Sequence, residues 1–151
     1  MMQQNQSATL VTIFSDVLAS LAFMFTEDEE GELLPREVWL ETTIGYRGPA
    51  SGVLRFQCTR AFSILLAANL LGVTPPDDTA ESKGDDAVKE FMNIVCGQLI
   101  TALHGTESVF DLTIPQIREL AAVPDFSGDG RGGTARLSVD GHRVGLSHTP
   151  T

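Results

Sequence analysis

Residues 85–104 constrain this chain more than any other stretch. They read D-D-A-V-K-E-F-M-N-I-V-C-G-Q-L-I-T-A-L-H, contain no proline and are followed by Gly105. At about 100° per residue, Phe91, Val95, Leu99 and Ala102 gather on one helix face, with Val88 and Met92 at its edge. A helix with such a face must bury it, so the remaining chain has to supply a second layer. Asp85 or Asp86 is expected to cap the free N–H groups at the start. Gly105 is expected to provide the left-handed residue that ends the helix.

The opposite face carries the chemistry. Asp86, Glu90, Asn93 and Gly97 fall at i, i+4, i+7 and i+11, which makes a narrow stripe. A glycine inside a helix is less stable than alanine by roughly 1 kcal/mol, and core packing does not demand a small residue on a polar stripe. Two readings are open. In one, the stripe is a solvated face and Gly97 admits a close crossing by another helix. In the other, it is a docking surface: Glu90 and Asn93 reach into a partner and Gly97 gives clearance.

Composition narrows the choice of partner. A formal charge of −10 and a pI near 4.5 disfavour nucleic acid, whose phosphates would repel such a surface. A basic patch on another protein is the better match. With 151 residues, a single domain over 1–151 is expected, with 1–6 disordered. Cys58 and Cys96 show no metal spacing and read as buried free thiols of a reducing, cytoplasmic compartment. His104, His142 and His148 are scattered, and the last two read as surface residues. No nucleophile–base pair, metal set or cofactor motif emerges.

Taken in order, residues 7–25 have a helical apolar stripe with Ser7 as its expected cap. Asp16 and several hydroxyl residues interrupt it as a membrane span, and it lacks the flanks of a signal peptide. Residues 26–35 read as a solvated acidic loop. Alternation over 38–46 and 53–58, around Gly48-Pro49-Ala50-Ser51-Gly52, predicts an antiparallel hairpin. Thr59 should cap a helix over 60–71 closed by Gly72, with Asn69 in a structural role. Residues 73–84 read as a linker. A strand over 108–114 should end at Pro115. The glycine-rich loop over 124–133 opens like a calcium loop at Asp125, Ser127 and Asp129, but Arg136 stands where a bidentate Glu is needed. Calcium is rejected there. Asp140-Gly141 between two alternating runs predicts a terminal hairpin. The fold class is α/β of the α+β type: two layers, helices on a largely antiparallel sheet, with a degenerate internal repeat.

The spacing Asp86-x3-Glu90-x2-Asn93, with Pro115 twenty-two positions beyond the Asn, resembles the signature of the CheC/CheX/FliY chemotaxis phosphatases. One copy of the motif, and the order of helix, hairpin, helix, acidic linker and motif helix, resemble CheX more than CheC. The resemblance implies that the chain dephosphorylates the phospho-aspartate of a CheY-type response-regulator receiver domain. Asn93 would position the attacking water and Glu90 would pair with the receiver's lysine. Asp86 and Pro115 would support them. The chain would bind no cofactor, the Mg²⁺ being held by the receiver. A non-catalytic receiver-binding or assembly module is the alternative. Single-motif relatives also imply a homodimer, and the lightly charged terminal hairpin is the edge expected to pair.

Overall fold

A computed structural model describes residues 2–28, 37–125 and 131–151. In chain order the elements are α1 (Met2–Ala22), β1 (Thr26–Asp28), β2 (Trp39–Arg47), β3 (Gly52–Thr59), α2 (Arg60–Leu71), α3 (Asp78–Ser82), α4 (Gly84–His104), β4 (Asp111–Leu112), β5 (Gln116–Leu120), β6 (Thr134–Val139) and β7 (His142–Pro150). All strand pairings are antiparallel, and the sheet runs β1-β6-β7-β3-β2-β4, with β5 also on β2. The helices lie on one side. Every second residue of the inner strands faces them and is buried: Ile44, Leu54, Phe56, Leu137, Val144 and Leu146.

The strand order contains the expected repeat. Exchanging β1 with β4–β5, β6 with β2 and β7 with β3 maps the sheet onto itself in reverse. Each half contributes a helix, a short outer strand and a hairpin. The outer strand pairs with the other half's hairpin, so neither half is complete alone.

Aromatic packing holds the helices in place. Phe14 of α1, Phe56 of β3 and Phe91 of α4 form a triangle with centroids 5.3–5.6 Å apart, and Phe62 of α2 stands 6.0 Å from Phe56. All four rings are fully buried. Each is worth about 1.5–3 kcal/mol of burial, so the triangle fixes which face of α4 turns inward.

Several boundaries match their local chemistry. Thr59 Oγ1 accepts from the Phe62 N–H at 3.1 Å, and Gly72 closes α2 at φ 71°. Asn69 Nδ2 donates to the Ala22 carbonyl at 3.0 Å, tying α2 to the end of α1. Asp140 and Gly141 both have positive φ, 49° and 83°, as a two-residue hairpin turn requires. Gly52 has a different reason to be glycine. A Cβ there would stand 2.6 Å from Tyr46 Oη, because the Tyr46 ring lies across it and bonds His148 Nε2 at 2.8 Å.

Other expectations are corrected. The first helix starts before Ser7, whose hydroxyl accepts instead from the Thr134 N–H at 3.0 Å. Thr26–Asp28 is strand rather than loop, and residues 29–35 of the acidic loop lie outside the described residues. So do 126–130 of the rejected calcium loop. The expected linker contains α3, capped by Asp77 Oδ1 on the N–H groups of Thr79 and Ala80. His148 is buried, not a surface residue, and its Nε2 bonds the Tyr46 hydroxyl. The terminal hairpin is interior: β6 pairs β1, and β7 pairs β3. Its low charge marks a strand pair enclosed on both sides. The outer strands carry Glu27, Asp28, Arg118 and Glu119 instead.

The free thiols of Cys58 and Cys96 are buried. Burial pushes Cys58 far above the ordinary thiol range, reinforced by the charge of Asp85, and pushes Cys96 up to about 12. A raised folded-state pKa stabilises the fold below the unfolded pKa, near 8.5, and that contribution is lost as pH rises toward the folded value. Both thiols should therefore resist a thiol-specific reagent at pH 8 until urea unfolds the chain, when both react. Resistance to urea should decline above about pH 9. Rapid labelling of either cysteine in the native protein would contradict this burial.

Candidate functional site

The site is the outward stripe of α4. Val88, Phe91, Met92, Val95, Cys96 and Leu99 are buried, which leaves Asp86, Glu90 and Asn93 exposed and Gly97 half-buried. Ala102, assigned to the buried face, is exposed, and the last core contacts of α4 come from Leu99, Ile100 and Leu103. The start of the helix also departs from expectation. Lys83 holds the N-cap position and makes no side-chain capping bond. Asp85 and Asp86 lie in the first turn, where carboxylates favour the helix dipole. Asp85 stands 3.9 Å from Arg60, which also donates to Glu119 of β5 at 2.9 Å. Asp86 stands 3.7 Å from Lys83, and both side chains are more than half exposed. That pair contributes little to stability.

Pro115 is not on the stripe. It is buried between β4 and β5, two short strands on the same edge of β2 where a single strand ending at Pro115 was expected. Tyr46 pairs with Leu112 and Thr43 with Gln116, so three residues, 113–115, oppose Ile44 and Gly45. This is a β-bulge. Thr113 stabilises it, donating its N–H to the Gly45 carbonyl and accepting the Gly45 N–H on Oγ1, both at 2.8 Å. Proline suits the bulge because its missing N–H removes no ladder bond. The run QIREL carries little signal for β5, because Ile117 and Leu120 stand three apart rather than alternating and the run is short enough to pass for loop.

Gly97 separates the two readings of the stripe. Among the described residues, a Cβ built there meets nothing within 4 Å, and its φ is not positive. Neither a crossing helix nor a left-handed backbone calls for glycine. Around it lies an open groove of about 500 Å³, lined by Ile13 of α1 and by Asn93, Ile94, Gly97, Gln98 and Ala102 of α4. Thr101 completes the lining, and its hydroxyl donates to the Gly97 carbonyl at 3.0 Å. Ile13 could not have been placed here from sequence, since no linear motif links it to α4.

The open face of the sheet has its own polar cluster. Arg118 Nε and Nη2 donate to Glu41 Oε1 at 3.2 and 2.9 Å, and Gln57 Nε2 donates to Oε2 at 2.8 Å. Burial raises the Glu41 pKa, but these bonds and the charges of Arg118 and Arg55 outweigh it and hold the carboxyl below its ordinary range. The cluster ties β5, β2 and β3 together. It is structural, on the side away from α4. Among the described residues, no group of three or more His, Cys, Asp and Glu could hold a metal, and no helix is long and apolar enough to cross a membrane.

Two pseudo-symmetric halves sharing one antiparallel sheet, with a carboxylate–carboxamide stripe on a helix above it, define a CheC-like domain. Solved structures of low identity share the fold. A CheX chemotaxis protein from Desulfovibrio desulfuricans matches with a TM-score of 0.68 at 17% identity, over 97% of this chain and 99% of that one. CheX from Vibrio vulnificus gives 0.68 at 15%, over 97% and 96%. The CheX–CheY–BeF3–Mg²⁺ complex from Borrelia burgdorferi gives 0.59 at 19%, over 95% and 96%. Comparison with curated protein sequences gives no match. The family described as "Chemotaxis phosphatase CheX" matches residues 41–124, more than half of the chain. The chain belongs to the CheX family.

Proposed function

We propose that this chain is a phosphatase acting on the phospho-aspartate of a CheY-type receiver domain, with Glu90 and Asn93 as the residues inserted into the receiver's site. The observation that carries this reading is the exposed stripe of α4, where both side chains stand clear of the core beside an unobstructed glycine. The Borrelia relative in complex with CheY supports the choice of partner.

In this reading Asn93 holds a water in line with the phosphorus–oxygen bond. Its neutral carboxamide orients the water without repelling the phosphoryl oxygens. The water oxygen bonds to phosphorus, the aspartyl oxygen leaves as carboxylate, and the water's protons depart with inorganic phosphate or to solvent. Positioning and electrostatics provide most of the acceleration in such transfers. Glu90 pairs with the receiver's lysine and sets the register of docking. Mg²⁺ on the receiver neutralises phosphoryl charge. Asp86 and Lys83 shape the start of α4, and the Pro115 bulge shapes the edge against which α4 packs. Phosphate release from CheY-type receivers phosphorylated with acetyl phosphate tests the reading. A receiver that binds but loses phosphate no faster than alone would make the chain a binding module.

A homodimer is the second part of the reading. With the terminal hairpin interior, the strand left to pair is an outer one. The β4–β5 edge exposes Val109, Leu112 and Ile114 at 82, 38 and 84%. Light scattering at micromolar concentration should give twice 16.2 kDa, and a mass of one chain would remove the dimer.

A further inference from the structure

The groove beside Asn93 has a shape and polarity that catalysis by Glu90 and Asn93 does not require. Its apolar lining comes from Ile13, Ile94 and Ala102, Gly97 contributes bare backbone, and the Thr101 hydroxyl donates to the Gly97 carbonyl. Polar side chains remain only at Asn93 and Gln98. Toward the helix start the same stripe is acidic, with Asp86 and Glu90. From Glu90 to Gly97 is about 10 Å along the helix axis. A partner fitting both ends presents a basic residue at one and an apolar side chain at the other, about two turns away.

We propose that this groove seats one apolar side chain of the phosphorylated receiver, carried on a loop whose main chain crosses α4 over Gly97. The proposal rests on the phosphatase reading and adds the feature that recognises the partner. Three observations support it. Gly97 is a destabilising residue that no described neighbour requires, since none of the described residues lies within 4 Å of its missing Cβ. The groove is continuous with the catalytic stripe, as Asn93 lines both. The charge of the stripe is complementary to a receiver that presents a lysine.

Gly97→Ala and Gly97→Leu test it. Phosphate release is measured over a range of receiver concentrations, and binding to beryllofluoride-loaded receiver by calorimetry. KM and Kd should rise severalfold for Ala and on the order of a hundredfold for Leu, with kcat changed less than about twofold. Gly97→Ala should melt at a higher temperature than the parent, so weaker docking cannot be ascribed to misfolding. A parental KM in Gly97→Leu overturns the proposal. So does a loss of self-association in that variant with receiver binding unchanged, which would make the groove a contact between copies. Asn93→Ala is run beside them. If it is fully active, the role assigned to Asn93 falls and the groove proposal, which is placed beside it, falls with it. If it is inactive while Gly97→Leu docks normally, the groove assignment alone is wrong.

Discussion

Asn93→Ala should lower receiver dephosphorylation by about a hundredfold or more while leaving binding and folding nearly intact. The side chain is exposed on α4, so its removal opens no cavity. Alanine is the better helix former by up to about 0.7 kcal/mol, which makes a small gain in stability the expected side effect. The loss is confined to the barrier. Misplacing a reacting group by about 1 Å can cost about 10²-fold, near 2.7 kcal/mol of transition-state energy. KM for the receiver should therefore stay near parental while kcat falls. Asn93→Asp makes a stricter comparison, because it keeps the shape and adds a charge that repels the phosphoryl group; it should not restore activity. Full phosphate release in Asn93→Ala would remove the assigned mechanism.

Glu90→Lys should act on docking. Glu90 is exposed one turn before Asn93, and its reading as the partner of the receiver's lysine makes charge reversal the sharpest test. Glu90→Ala should weaken binding about tenfold, and Glu90→Lys on the order of a hundredfold, since reversal replaces attraction with repulsion. Salt distinguishes this from a structural effect. Screening acts over about 8 Å at 0.15 M, so parental binding should weaken as salt rises. Glu90→Ala should be less sensitive, and Glu90→Lys should bind slightly better in high salt. Binding of Glu90→Lys equal to the parent at low salt would show that the pairing is misassigned. Because Asp86 is already beside Lys83 at 3.7 Å, it is poorly placed to substitute for Glu90.

Much of this protein was legible in the order of its residues wherever a short-range rule acted. The 3.6-residue period placed Phe91, Val95 and Leu99 inward, and so placed Glu90 and Asn93 outward, before any neighbour of α4 was known. Thr59 and Gly72 bounded α2 through local hydrogen bonding and backbone freedom. Asp140-Gly141 demanded a hairpin turn. The motif spacing likewise pointed to the CheX family, which the match over residues 41–124 established.

What only the tertiary structure decided involves residues far apart in the chain. The terminal hairpin looked like an unpaired edge because partner strands leave no trace in a strand's own alternation; β1 and β3 enclose it. His148 looked like a surface residue because the Tyr46 hydroxyl that bonds its Nε2 lies 102 positions away. Pro115 looked like a strand end, although the edge continues past it through a bulge that only the register with β2 defines. The two readings of Gly97 differed in whether another element crosses α4, and spacing along one helix carries no information on that. The empty space around its missing Cβ and the groove shared with Ile13 come from the packing of α1 against α4. Local sequence determined which side chains face outward, and long-range packing determined what surface they face outward with.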